Sequence, residues 1–158
     1  MLRPTCRSFH TAAAVLAPLA LAGLSLLPLN AQAPAHPLAQ KLVASAQAQH
    51  PDVTEVGILF PTSNGCTSIA STDKGDVGGK CESEDLQPLK TGKPSVAKEA
   101  DGYDVSLLLH DAQGRRVGVV GIEMKLAGHT QASALREAGQ IEHAMAAQIP
   151  SKSSLAAH

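Results

Sequence analysis

The chain has 158 residues, a length that fits one domain, and its 13 basic and 14 acidic residues leave a formal net charge of −1. The charges are evenly mixed and form no basic stripe, which excludes the electrostatic footprint of a nucleic-acid-binding protein. An aromatic content of 2% also disfavours a site that stacks a nucleobase or a haem.

Residues 1–33 have the pattern of a secretory signal peptide. A start with Arg3 and Arg7 precedes an apolar run that is interrupted by proline and glycine, and Ala31-Gln32-Ala33 is a small-x-small cleavage motif. We therefore predict cleavage after Ala33 and a periplasmic or secreted location for the mature protein. The alternative interpretation is an uncleaved membrane anchor, because the run is about long enough to span a bilayer.

The first half of the mature chain predicts one helix followed by a hairpin. Residues 34–51 carry apolar side chains at three- and four-residue steps, which is typical of a helix, and Pro51 stops the pattern. Residues 52–61 and 66–72 read as two strands with a turn between them. The segment 73–94 reads as a loop with a short helix at 83–92, where Ser83 or Asp85 would cap the start and Gly92 the end.

The second half predicts three consecutive strands and a helix. Strands are expected at 94–100, 103–111 and 116–127, joined by the turn signals Asp101-Gly102 and 112–115. Residues 128–150 read as an amphipathic helix with Thr130 as its cap, and residues 151–158 as a disordered tail. The predicted fold is thus a single α+β domain over 34–150, with a five-stranded antiparallel sheet flanked by an N-terminal and a C-terminal helix.

Two cysteines, Cys66 and Cys81, remain after the signal peptide is removed. In an oxidising compartment they most simply form one disulfide. The closed loop of about 15 residues would stabilise the fold by roughly 3 kcal/mol. The rival interpretation, a reactive dithiol, is disfavoured because redox pairs prefer the Cys-x-x-Cys spacing.

Several short segments resemble the Cache group of extracytoplasmic sensor domains, which are PAS-like (profilin-like) folds. The resemblance lies in IAST, DKGDVGGK, LKTGKPSV and YDVSLLLHDAQGRRVGVVGIEMKL, and it covers about residues 36–127. It implies a pocket between the sheet and the loop after the second strand, which binds a small metabolite such as an organic acid or an amino acid. Such domains are usually fused to a membrane helix and an output domain, whereas this sequence shows neither after the signal peptide.

Five polar residues are the candidates for ligand contacts in such a pocket. Ser71 and Asp73 lie where the second predicted strand enters the loop, and Tyr103 opens the fourth strand. Ser106 and His110 share one face of that strand if the two-residue alternation is unbroken, and Tyr103 is then on the other face. By contrast, the charged residues of the last strands, among them Glu123, are expected to form cross-strand pairs on a solvated edge.

No motif in the sequence predicts an enzyme, a metal site or a cofactor. The histidines lack the spacing of zinc ligands. A triad of Ser71, His110 and Asp111 has no nucleophile-elbow motif to support it. The stretch STDKGDVGGKC (71–81) resembles a phosphate loop only superficially, since Lys74 replaces its first glycine and Cys81 its hydroxyl residue.

Two classes of function follow from these observations. The first is a periplasmic binding or sensory module for a small polar metabolite, without its own output domain, that reports to a membrane receptor or another periplasmic protein. The second is a ligand-free interaction or accessory subunit with the same fold, which should have a filled pocket and an exposed apolar patch. The alanine-rich terminal helices leave both a homodimer and a monomer open.

Overall fold

The computed structural model describes residues 35–63 and 65–158, so the predicted signal peptide lies outside the described residues. The helices and strands of the described part follow one another in an order close to the predicted one. In chain order they are α1 (Pro37–Gln49), β1 (Val53–Thr62), β2 (Gly65–Ser71), α2 (Leu86–Thr91), β3 (Ser95–Lys98), β4 (Gly102–His110), β5 (Arg116–Lys125), α3 (Gln131–Ala146) and α4 (Lys152–Ala156).

The five strands form one antiparallel sheet in the order β2-β1-β5-β4-β3. The hairpins β1–β2, β3–β4 and β4–β5 join neighbours in sequence, while β1 and β5 pair at the centre of the sheet. This arrangement confirms the predicted α+β class with a five-stranded antiparallel sheet and flanking helices.

One face of the sheet is covered by the long helices and holds the main core. Leu42 and Val43 of α1 and Ile141 and Met145 of α3 are buried in a single cluster with side chains of all the long strands. Alanines on both helices, such as Ala138, are fully buried, and their small side chains let the helices lie close to the sheet. Thr130 caps α3 as expected, and its side chain accepts a hydrogen bond from the Ser133 amide.

The C-terminal residues extend this core, so the prediction of a disordered tail over 151–158 is wrong. Ser151 caps α4 by accepting a hydrogen bond from the Ser154 amide, and Leu155 is fully buried. A single leucine among small and polar residues gives too weak a periodic signal to predict a helix of five residues. None of the described helices is both long and apolar enough to cross a membrane.

The opposite face of the sheet is covered by α2 and by the loop between β2 and α2. A smaller apolar cluster lies there, formed by Leu59, Val119 and Cys66, with Leu86 and Leu89 of α2 packed against it. This cluster occupies only part of the face. The remaining part carries small and acidic side chains, and it holds the candidate site.

Candidate ligand-binding site

A cavity of about 290 Å³ lies between the sheet and the loop that follows β2. This is where the resemblance to sensor domains places a pocket, and the volume is at the lower end of the range for small-molecule sites. It is lined by backbone and side chains of β1, β2, β4, β5 and the loop: Glu55, Gly57, Leu59, Ser68, Ser71, Gly75, Asp76, Gly79, Lys80, Glu82, Asp85, Asp104, Gly121 and Glu123.

The strand register arranges this face in three rows that cross the sheet. The first row is acidic, because Glu123 of β5 pairs with Glu55 of β1 on one side and with Asp104 of β4 on the other. Side chains two residues apart on a strand share a face, so two further rows lie beside the first one. In order across the face, the three rows are acidic, small and apolar.

The row of small residues forms the floor of the cavity. Gly57 of β1 faces Gly121 of β5, with Ser71 beside Gly57 and Ser106 beside Gly121. A Cβ atom at Gly121 would be 3.9 Å from Asp85 Oδ1, which is ordinary van der Waals distance. The cavity exists here because these two positions carry no side chain, and not because the backbone requires glycine.

The loop is held over the sheet by the predicted disulfide between Cys66 and Cys81, which is present with a Cα–Cα distance of 5.4 Å. Backbone hydrogen bonds also join the loop to β2. Ser68 donates to the Gly79 carbonyl at 2.9 Å and accepts from the Gly78 amide at 2.8 Å. The last residues of the loop therefore form a short ladder of backbone hydrogen bonds with β2, and the disulfide lies at the end of this ladder.

Two glycines allow the loop to turn back in this way. Gly78 has a φ of +88°, a left-handed conformation that other residues rarely adopt. A Cβ atom at Gly79 would lie 2.9 Å from the Asp76 carbonyl oxygen, so a larger residue would collide with the backbone. The glycines that resembled a phosphate loop thus shape a turn at the cavity's rim.

The cavity is strongly acidic. Its lining contains six carboxylates and one lysine, Lys80; the carboxylates are Glu55, Asp76, Glu82, Asp85, Asp104 and Glu123. The ion pairs within residues 35–63 and 65–158 involve other acidic residues. None of these six carboxylates forms an ion pair within the described structure, and the single lysine leaves carboxylates in excess in the lining.

Burial and mutual repulsion change how these groups ionise. Burial, followed by the nearby Asp76 and Glu123, raises the pKa of Glu55 to about 7, although a hydrogen bond from Ser71 works against this. Burial and then the charges of Asp85 and Glu123 raise the pKa of Asp104 to about 6. The pKa of Glu123 is also raised, first by burial and then by neighbouring carboxylates.

Three serines lie beside the carboxylates. Ser71 donates to Glu55 Oε1 at 2.8 Å, and Ser106 donates to Asp85 Oδ1 at 2.9 Å. Ser68 is only 7% exposed and lines the cavity, yet its Oγ has no hydrogen-bond partner in the described part of the chain. Because a buried hydroxyl without a partner is costly, the Ser68 hydroxyl is available to a polar group that enters the cavity.

The structure brings three of the five predicted site residues to this region. Ser71 lines the cavity, and the buried Ser106 lies in the floor row with its hydroxyl bound to Asp85. Asp73 lies at the rim, where its side chain accepts a hydrogen bond from the Gly75 amide.

The other two predicted site residues lie elsewhere. Tyr103 is buried in the main core, on the face that the long helices cover, although it borders a second cavity described below. Ser106 and His110 were expected to share one face of β4. The register of β4 with β5 shifts between Leu109 and His110, and this shift breaks the alternation on which that expectation depended. His110 Nδ1 instead lies 3.0 Å from Oε1 of Glu142 on α3.

The residues of the hypothetical triad are not bonded to one another. Ser71 is bound to Glu55 and His110 to Glu142. Asp111 accepts hydrogen bonds from the Gln113 and Arg115 amides and from Arg115 Nε. Burial opposes ionisation of Asp111, but these bonds outweigh it and lower the pKa of the carboxyl. Each of the three residues thus has a different hydrogen-bond partner, and these bonds stabilise the fold.

The acidic row was missed by sequence reasoning. Glu123, expected on a solvated edge, lines the cavity, and Glu55 and Asp104 carried no motif. Acidic residues at alternating positions of otherwise buried strands were the one available signal. It could not show that the three belong to one row, because that depends on the pairing of β1 with β5.

Three carboxylates at the rim are also close enough to share a single cation. One oxygen each from Glu55, Asp73 and Asp76 lies within 4.8 Å of the others. Oxygen ligands of this kind suit hard cations such as calcium. Exposed acidic groups also cluster without an ion, so we include divalent cations only as competitors in the experiments below.

Comparison with known proteins supports the fold. No protein-family model and no curated sequence matches the chain significantly. A provisionally assigned GAF sensor protein from Burkholderia vietnamiensis is similar in structure, with a TM-score of 0.54 and 11% identity over 70% of this chain and 74% of that one. The sensor domain of DcuS from E. coli aligns with a TM-score of 0.43 and 18% identity over 65% and 71% of the two chains. The likeness to the first of these structures supports the α+β fold of the chain.

Proposed function

We propose that the protein is an extracytoplasmic Cache/PAS-like sensory module that binds a small, positively charged metabolite in the acidic cavity. The observation that carries this proposal is the lining of six carboxylates and one lysine, in which no carboxylate forms an ion pair within the described residues. A ligand with an ammonium group would supply the missing charge and could also donate a hydrogen bond to Ser68 Oγ.

The negative charge of the cavity lining narrows the class of ligand that the resemblance to Cache domains implies. An organic acid would bring further negative charge to a site whose carboxylates already repel one another, and like charges at short range are unfavourable. Amines, and amino acids with a basic side chain, bring the opposite charge. We therefore favour amine-bearing metabolites over organic acids.

The alternative function, a ligand-free interaction subunit, has less support. It predicts a filled pocket and an exposed apolar patch, whereas the cavity here is open and polar. Val77 is the large apolar residue that stands out as exposed in the described residues, and one such residue does not form a patch. The proposal also includes a partner protein that binds the ligand-bound form. It further includes a homodimer in which two copies pair through α1.

A thermal-shift screen of the purified protein tests the proposal. The panel contains primary amines, basic amino acids, dicarboxylates and purines at one ionic strength. A ligand at a hundred times its Kd should stabilise the native state by about 2.7 kcal/mol, so binding of an amine will raise Tm.

Two variants show whether the shift arises in the cavity. Glu123→Gln should reduce the shift given by an amine by about half or more, whereas Glu84→Gln removes the same charge outside the cavity lining and should preserve it. The proposal fails if no amine raises Tm, or if a dicarboxylate stabilises the wild-type protein and amines do not.

A further inference from the structure

A second cavity of about 560 Å³ adjoins the first. Its wall includes Glu82, Asp104 and Glu123, which also line the first cavity. Beyond these shared residues it extends past the β3–β4 turn, where Glu99 and Asp101 add two more carboxylates. The two cavities therefore meet along the acidic row.

The second cavity has one basic residue, Lys125, and its ammonium group is already engaged. Lys125 Nζ donates to the Pro51 carbonyl at 3.1 Å. No ion pair within the described ranges involves the carboxylates of this cavity. The acidic surface thus continues from the rim at Asp76 to the turn at Asp101, and its carboxylates outnumber the two lysines, Lys80 and Lys125, in the two linings.

The dimensions of the sheet give the length of this surface. Neighbouring strands are about 4.8 Å apart, so the row from Glu55 through Glu123 to Asp104 spans about 10 Å. A single ammonium group could lie close to only part of this row. The unpartnered hydroxyl of the buried Ser68 lies in the first cavity and marks an additional polar contact there.

We infer that the two cavities form one elongated site for a linear molecule that carries two or more ammonium groups, that is, a diamine or polyamine. One ammonium group binds in the first cavity, beside Glu55, and another lies beyond the shared wall, near Glu99 and Asp101. The aliphatic chain between them crosses the floor near Gly121 and the acidic row. This inference rests on the proposed function and adds the length and charge of the ligand.

Isothermal titration with amines of increasing charge tests the inference. The probes are butylamine, 1,8-diaminooctane, whose two ammonium groups are far enough apart to span the row, and spermidine, with octylamine as a monoamine of matched chain length and with calcium chloride and magnesium chloride as separate competitors at matched ionic strength. The wild-type protein should bind the diamine at least tenfold more tightly than either monoamine, and the triamine should show the steepest loss of affinity with added salt.

A double variant locates the second ammonium group. Glu99→Gln with Asp101→Asn should weaken binding of the diamine and of spermidine about tenfold, and leave the affinity for butylamine within about twofold. Glu84→Gln is the matched control and should change neither affinity, because Glu84 lines neither cavity.

The results separate the inference from the function on which it rests. If either monoamine binds as tightly as the diamine, or if the double variant weakens all amines equally or none of them, the elongated site is refuted and a cation-binding cavity remains. If calcium or magnesium binds and displaces every amine, the inference is overturned in favour of a metal site. If no amine binds at all, both the inference and the proposed function fall.

Discussion

Glu123 lies directly opposite Asp104 in the pairing of β4 with β5, so two acidic side chains face each other on one side of the sheet. Like charges at opposed positions destabilise an antiparallel pair. Glu55 on the other side of Glu123 extends the repulsion to a third strand. This repulsion reduces the stability of the ligand-free protein. A cationic ligand beside these carboxylates would relieve the repulsion.

Removing one carboxylate of this row should make the empty protein more stable and the site less functional. We expect Glu123→Gln to raise the free energy of unfolding by roughly 0.2–1 kcal/mol, because it relieves repulsion from both neighbours. The same change should weaken amine binding at least tenfold. Urea unfolding and calorimetric titration measure the two effects, with Glu84→Gln as the control that should alter neither. A destabilised variant with normal binding would contradict this account.

The stability of the ligand-free protein should fall as the pH rises from about 5 to 8. The pKa of Glu55 is raised from 4.5 to about 7 and that of Asp104 from 3.8 to about 6. The folded chain therefore holds protons that the unfolded chain has released, and the stability that they contribute is lost as the pH rises through the folded values. After allowance for solvent screening we expect a loss of roughly 1 kcal/mol, or about 3 °C in Tm.

The double variant Glu55→Gln, Asp104→Asn provides the control for this pH dependence. Its Tm should change less than that of the wild-type protein between pH 5 and 8, because the two groups no longer titrate. If the wild-type and variant curves are parallel, Glu55 and Asp104 do not produce the dependence. Amine affinity should change in the opposite direction and increase toward pH 8, since the carboxylates are then ionised.

Filling the floor of the cavity should block the ligand without unfolding the protein. Gly121 lies in a strand, and an added Cβ atom would meet nothing closer than 3.9 Å. We expect Gly121→Val to keep Tm within a few degrees and to reduce amine affinity more than tenfold, whereas Gly121→Ala should have an intermediate effect. Circular dichroism and titration of both variants test this. Undiminished binding by the valine variant would place the ligand elsewhere.

Removing the disulfide should destabilise the fold and loosen the loop over the cavity. The loop of about 15 residues implies a loss of roughly 3 kcal/mol when Cys66 and Cys81 are both replaced by serine. The ladder between Ser68 and Gly79 should retain part of the loop's position. We therefore expect weakened but measurable amine binding, with faster hydrogen exchange over residues 72–81. Unchanged exchange in the double serine variant would show that the ladder alone holds the loop.

The sequence was informative wherever a property depends on near neighbours. The apolar character of residues 103–111 and 116–127 between turn signals predicted β4 and β5, Thr130 predicted the start of α3, and the two cysteines of the mature chain predicted the disulfide. These signals are local. They depend on periodicity, turn chemistry and loop length, which a single sequence contains.

The site could not be predicted to the same degree because it depends on distant pairing. Glu55 and Glu123 are adjacent only because β1 pairs with β5, and no periodicity encodes the register between them. The position of His110 depended on one irregularity in register, and a single shift of this kind moves a side chain to the other face. The charged residues in the strands were therefore interpreted as surface pairs, whereas three of them form a wall of the cavity.

The two ends of the described chain meet on the side of the sheet away from the cavity. His36 Nδ1 lies 3.1 Å from the Ala156 carbonyl, and the rings of His36 and His158 are 4.4 Å apart. The exposed turn around Gln113 and Gly114 contributes to the lining of neither cavity. A fluorescent protein inserted at this turn would leave both linings and the contact of His36 with the C-terminal residues intact, and would serve as a reporter of the proposed ligand binding.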